Sequence, residues 1–192
     1  IKPMKTCLII VDVQNDFCPG GVLAAKTANE IIPVINELME HFSLIVASKD
    51  WHPAKSIHFE KWPVHCVRAT AGAAFHPDLN IEKINELFLK GIGNYDDGYS
   101  AFESTNMDLN YWLQKHDVDT VYICGIATEY CVFQTAIHAL QFGFKVKVIK
   151  DAVAEIEVAE GDTARAFQEM EKAGIRLLSS QEFMAEKQVF QV

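Results

Sequence analysis

Short apolar runs alternate with stretches of helical period along most of the chain, and that alternation restricts the fold more than any other feature. Thr6–Val11 reads as a buried strand that ends at Asp12. Ile31, Val34, Ile35, Leu38, Met39 and Phe42 then keep a helical period, with Pro33 expected at the beginning of the helix, where a missing N–H matters least. Further strands are predicted at residues 44–48, 87–89, 121–124, 146–149 and 175–178. Helices are predicted around Leu109–Lys115, from Thr128 to a stop at Gly143, and over about 163–172. Thr128 can cap the second of these, Val132, Phe133, Ala136, Ile137 and Leu140 share one face of it, and a glycine just past the end suits a helix stop. Strand alternating with helix predicts an α/β fold, an open parallel sheet of about six strands with helices on both faces. The chain has 192 residues, 49% of them hydrophobic, with no internal repeat and no linker, so 1–192 is read as a single domain. Met4 is read as a candidate native start, with Ile1 to Pro3 a remnant ahead of it.

Charge and cysteine usage narrow the class. A net charge of -9, with only 17 Lys plus Arg scattered along the chain, offers no basic stripe to follow a phosphate backbone, and no nucleic-acid partner is expected. No apolar run approaches the roughly 18 residues that span a bilayer, and the start lacks a charged region followed by an apolar core and a small-residue cleavage site. The expectation is a cytoplasmic protein with no membrane partner. Cys7, Cys18, Cys66, Cys124 and Cys131 are odd in number and contain no C-x-x-C, which argues for reduced thiols rather than a disulfide framework.

In open parallel sheets, ligands bind outside the carboxyl ends of the strands. Asp12 ends the first strand, Asp50 follows the second, Lys90 ends the third, and Cys131 lies in the first turn of the helix after the fourth. Singly, each has a plain explanation as a turn residue, a solvated charge or a small core residue. Together they form a nucleophile set. A cysteine near a helix N-terminus and an ammonium group is expected to have a lowered pKa, and a carboxylate within reach can move its proton. The loop after the second strand adds His52, His58 and His65 to Asp50 in one Pro-punctuated stretch. Three imidazoles and a carboxylate suit Zn, Fe(II) or Mn, and such a site can keep positions open for water or substrate. His65 and Cys66 are adjacent in extended chain and point to opposite faces, so Cys66 is not expected to share the ion. Gly91 and Gly93 lack the third glycine of a dinucleotide fingerprint.

These segments resemble a known family. The run Ile9 to Gly21 carrying Asp12, Phe17 and Cys18, the segment Asp50-Trp51-His52-Pro53 with Ser56-Ile57-His58-Phe59 and Trp62-Pro63-Val64-His65-Cys66, Lys90-Gly91 with Tyr99-Ser100-Ala101-Phe102, and Gly125-Ile126-Ala127-Thr128-Glu129-Tyr130-Cys131-Val132 are similar to the nicotinamidase/pyrazinamidase group of isochorismatase-like cysteine hydrolases. The likeness runs from Thr6 to about Leu178. It implies a catalytic triad of Asp12, Lys90 and Cys131, and metal ligands Asp50, His52, His58 and His65 for one divalent ion, zinc before iron or manganese. It also implies an oxyanion hole at the amides of Ala127 and Cys131, behind a cis bond between Ile126 and Ala127. Phe17 and Trp62 would flank a pyridine ring with Tyr99 nearby; the insertion 94–98 makes the alignment of Tyr99 the loosest. The activity so implied is deamidation of nicotinamide, a small-molecule substrate, to nicotinate and ammonia through a thioester on Cys131, a step of NAD salvage, with pyrazinamide a second substrate. The alternative is a related cysteine hydrolase acting on another small amide or carbamoyl substrate; a non-catalytic metal-binding protein is the weaker third reading. A homo-oligomer is left open.

Overall fold

A computed structural model describes residues 4–189; the reading of Ile1 to Pro3 lies outside the described residues. Strands β1 (Thr6–Val11), β2 (Ile45–Asp50), β3 (Glu86–Lys90), β4 (Thr120–Ile126), β5 (Lys145–Ala154) and β6 (Arg176–Leu178) form one sheet in the order β3-β2-β1-β4-β5-β6. Every pairing is parallel. Helices α1 (Ala28–Met39), α2 (Leu109–Lys115), α3 (Phe133–Gln141), α4 (Asp162–Ala173) and α5 (Ser180–Val189) cover it. The two-residue period of a strand explains how both faces are filled. Leu8 and Ile10 of β1 point into a core shared with Ile31, Ile35 and Leu38 of α1 and Phe183 of α5. Cys7, Ile9 and Val11 point the other way, against Leu113 of α2, Ala136 and Ala139 of α3 and Met170 of α4. Because β1 is buried on both faces, it reads as a continuous apolar run, as strands of a two-sided parallel sheet do.

Several boundaries depart from the sequence expectation. β2 runs on past residue 48 to Asp50 because its polar last residues pair with β3, Lys49 with Leu89 and Asp50 with Lys90, the residue at which β3 ends as expected, so the ladder outlasts the hydrophobicity. β5 extends to Ala154 around an irregularity, its register against β4 passing from Ile123↔Val148 to Gly125↔Val153. α1 starts at Ala28, which puts Pro33 inside the helix rather than at its beginning. No α-helix joins β2 to β3; that long connection holds only short 3-10 turns. α5 was not anticipated, and its weak amphipathic pattern accounts for that.

The strand order reverses between β1 and β4, with β2 on the other side of β1. A crevice at such a switch point is where open α/β sheets hold ligands. Gly125, paired with Val11 across that seam, has φ +116°, and a Cβ there would lie 2.1 Å from the Val11 carbonyl oxygen. Only glycine fits that close approach.

Candidate active site

Each charged group of the site is delivered by a strand end. Asp12 follows β1 with φ 50°, a left-handed conformation that Asp tolerates better than most residues. It is fully buried; its Oδ1 accepts the Ser48 hydroxyl at 2.8 Å and its Oδ2 accepts Lys90 Nζ at 2.7 Å. Lys90, also fully buried, donates to Asp50 Oδ1 at 2.5 Å and to the Gly98 carbonyl, and lies 3.5 Å from the Cys131 sulfur. Ligand atoms of Asp12, Asp50 and Cys131 lie within 4.8 Å of one another. Asp12, Lys90 and Cys131, assembled from sequence alone, therefore meet in space.

Two carboxylates share one ammonium, and their proton affinities split as expected for like charges at one site. Burial pushes Asp12 up to about 6 against the pull of Lys90, with the Asp50 charge adding to the rise. Asp50 is buried as well, yet Lys90 and the neighbouring histidines hold it well below the usual carboxylate range. Despite its own burial, Lys90 is held firmly charged by Asp12 and Asp50. The Cys131 thiol corrects the sequence expectation. Burial pushes it well above the usual thiol range against the pull of Lys90, and Asp12 and Asp50 add to the rise. Its helical setting differs too. Thr128–Val132 forms a π-helical turn ahead of α3, closed by Tyr130 N–H and Val132 N–H, which donate to the Ala127 carbonyl at 3.1 and 3.0 Å. Thr128 makes no side-chain cap, and its buried hydroxyl has no partner among the described residues. The Ile126–Ala127 peptide is cis.

Beside this cluster, one ring nitrogen from each of His52, His58 and His65 lies within 4.8 Å of the others. All three Nδ1 atoms are engaged, with the Gly91 carbonyl at 2.9 Å, Asp96 Oδ1 at 2.9 Å and the Pro63 carbonyl at 2.7 Å respectively. Each ring thus keeps its proton on Nδ1 and offers a bare Nε2, the arrangement by which second partners orient metal-binding imidazoles. Asp50 Oδ2 faces two of them, 3.4 Å from His52 Nε2 and 3.7 Å from His65 Nε2. Buried His52 Nε2 has no hydrogen-bond partner among the described residues. An orphaned nitrogen amid bare imidazoles and a carboxylate fits a divalent metal ion. Cys66 stands apart, as expected, its N–H donating to Asp16 Oδ2 at 2.7 Å. All five thiols are free and buried.

A pocket partly open to solvent is lined by residues of both clusters. Asp50, His58 and His65 of the donor set line it, together with Cys131, Ala127, Phe17, Trp62 and Tyr99. Sequence reasoning did not identify Leu23, Gly98 and Ile156, which also line it. Tyr130, noted only as the residue before Cys131, meets Trp62 edge-on at 5.1 Å between ring centroids. Two supporting residues also escaped notice. Gln14 grips the backbone of Asp50 from both sides, donating to its carbonyl at 2.8 Å and accepting its N–H at 2.9 Å. Glu129 accepts the N–H groups of Ile156 and Glu157 at 3.2 and 2.9 Å, tying the loop after β5 to the turn that carries Cys131. Neither carries a sequence signal beyond its polarity. A shielded thiol, a carboxylate and an ammonium opposite a set of metal donors can attack and hydrolyse a small carbonyl compound.

Relatives share this arrangement of chain. The chain is 39% identical over 186 residues to the nicotinamidase/pyrazinamidase of Mycobacterium tuberculosis, with 90% of this chain and 98% of that protein covered. A pyrazinamidase of Pyrococcus horikoshii solved in complex with zinc superposes with a TM-score of 0.83 at 42% identity, covering 91% of this chain and 99% of the other. The L. infantum protein PnC1, solved in complex with nicotinate, superposes with a TM-score of 0.86 at 34% identity, covering 93% and 94%. No helix among the described residues is long and apolar enough to cross a membrane. The isochorismatase domain model matches residues 6–182, and the chain belongs to the isochorismatase family.

Proposed function

We propose that this protein is a nicotinamidase, a metal-containing cysteine amidohydrolase that converts nicotinamide to nicotinate and ammonia and also accepts pyrazinamide. The observation that carries the reading is a single pocket lined by Cys131 of the buried Asp12–Lys90–Cys131 cluster and by Asp50, His58 and His65 of the adjoining donor set that His52 completes. The relatives' activity, and the zinc and nicotinate held by two of them, support it.

Cys131 attacks the carboxamide carbon while Asp12, ionised near neutral pH, takes the thiol proton. The high proton affinity of the thiol means that sulfur and carbon bond as the proton leaves, with Lys90 countering the negative charge that accumulates. Backbone N–H groups of Ala127 and Cys131 hold the oxyanion, each worth roughly 3 kcal/mol in comparable sites. Asp12 returns its proton to the departing nitrogen, ammonia leaves, and a thioester remains on Cys131. Asp12 then draws a proton from a water that attacks the thioester; the carbon–sulfur bond breaks, the proton passes from Asp12 back to the Cys131 sulfur, and the product leaves as nicotinate. Phe17 and Trp62 confine the ring between them, with Tyr99 behind. Asp50, His52, His58 and His65 would hold a divalent ion, zinc first by donor set, which would supply Lewis acidity toward a ring nitrogen lone pair.

Ammonia release from nicotinamide and benzamide, measured with metal content in the parent and in His52→Ala, tests the reading. The parent should contain about one divalent ion per chain and strongly prefer nicotinamide, because benzamide has no ring nitrogen. His52→Ala should lose metal, activity and preference together. A metal-free parent that still discriminates sharply would place ring recognition in the aromatic walls and give the histidines another purpose.

A further inference from the structure

The loop 94–98 lies between β3 and Tyr99 and reaches both clusters, the Gly98 carbonyl accepting from Lys90 and Asp96 facing His58. Asp96 lies on it, with its side chain 41% exposed, and does not line the pocket. Its Oδ1 nevertheless faces two site residues, Tyr99 Oη at 2.7 Å and His58 Nδ1 at 2.9 Å. Trp62 Nε1 is 3.0 Å from the same Tyr99 oxygen. The proton inventory allows one arrangement. An indole nitrogen only donates, so Tyr99 accepts from Trp62 and must send its own proton to Asp96. An ionised carboxylate only accepts, so the proton between Asp96 and His58 sits on Nδ1 and leaves Nε2 bare. Lys61 Nζ lies 3.9 Å from Asp96 Oδ2. Both groups are exposed, so that ion pair contributes little.

We propose that Asp96 is a positioning residue that couples the metal centre to the aromatic wall, setting the ring orientation and tautomer of His58 and, through Tyr99, the placement of Trp62. The inference rests on the nicotinamidase reading for the identity of the ring and extends it to a residue that touches neither ring nor ion. One oxygen atom serves both branches. Loss of Asp96 therefore acts on metal retention and on ring binding at once, whereas loss of the Tyr99 hydroxyl acts on ring binding alone. The Asp96→Asn substitution keeps an acceptor at the same position and preserves both branches in weakened form.

The test uses the full chain loaded with zinc, comparing Asp96→Ala, Asp96→Asn and Tyr99→Phe with the parent. Zinc affinity is read by competition with a chromophoric chelator, and KM and kcat by ammonia release from nicotinamide. Asp96→Ala should weaken zinc binding by roughly 10- to 100-fold, the usual consequence of removing an outer partner of a ligating histidine, and should also raise KM at saturating zinc. Tyr99→Phe should raise KM with zinc affinity within about twofold of the parent. Asp96→Asn should recover most of the zinc affinity, which also guards against misfolding of the alanine variant. Parent-like zinc affinity in Asp96→Ala, or an equal loss in Tyr99→Phe, would overturn the coupling while leaving the nicotinamidase reading intact. A parent that binds no zinc or releases no ammonia would overturn both.

Discussion

Asp12→Asn separates the base from the scaffold around it. In the parent, Asp12 accepts from Ser48 at 2.8 Å and from Lys90 at 2.7 Å. An asparagine turned so that its oxygen stays on Lys90 presents its amide to the Ser48 hydroxyl, which can rotate to accept one N–H, but the second amide N–H and the hydroxyl proton then lose their acceptor. Lys90 also keeps Asp50 at 2.5 Å. The structural cost is then a weakened charge-assisted bond together with unpaired buried donors, about 1–3 kcal/mol in urea unfolding. The catalytic cost is larger. Removing a general base lowers the rate by roughly 10²- to 10⁴-fold, or about 3–5 kcal/mol of barrier. A second readout moves the other way. Asp12 is among the groups that raise the Cys131 thiol, so its neutralisation should favour the thiolate. Alkylation of Cys131 by iodoacetamide at neutral pH should consequently hold or quicken while ammonia release collapses. Turnover within tenfold of the parent would refute Asp12 as the base; alkylation falling in step with turnover would show that Asp12 supports the thiolate instead of opposing it.

Three other substitutions probe separate parts of the argument. Cys131→Ala should reduce ammonia release to background with the fold intact by circular dichroism, whereas Cys124→Ala, in the opposite core beside Ile10, should keep its turnover. Lys90→Met strands two buried carboxylates, so it should cost about 3–5 kcal/mol in urea unfolding and slow the alkylation of Cys131 several-fold; alkylation at the parent rate would remove Lys90 as the thiolate's partner. Gly125→Ala drives a Cβ to 2.1 Å from the Val11 carbonyl, and the strand seam should lose at least about 3 kcal/mol from left-handed strain and overlap together, so soluble, parent-like protein would contradict the close approach of β1 and β4.

The sheet and the identities of Asp12, Asp50, Lys90 and Cys131 were legible because each closes, follows or trails an apolar run, and such runs mark buried strands whatever the tertiary context. Local reading failed where the controlling interaction was distant. β2 outlasts its hydrophobic residues because Asp50 pairs with Lys90 of β3, a register that no single segment contains. The Thr128 cap failed because the turn closes five residues apart on the Ala127 carbonyl, a geometry with no side-chain signature. Asp96 escaped because its partner His58 lies 38 residues away across a connection with no periodic pattern.

The misjudged thiol has the same origin and shows how the site is organised. One lysine beside one cysteine predicts an activated sulfur, but the folded chain buries that sulfur and also brings two carboxylates to the lysine. Asp50 turns one oxygen to Lys90 and the other toward His52 and His65, so a single carboxylate belongs to the nucleophile cluster and to the metal donors at once. With Lys90 alone set against Asp12 and Asp50, the buried cluster carries an excess negative charge. A cation at the donor set would offset that charge on the Asp50 side. The histidine loop thus bears on the electrostatics of Cys131 as well as on the ring in the pocket, because Asp50 is shared between them.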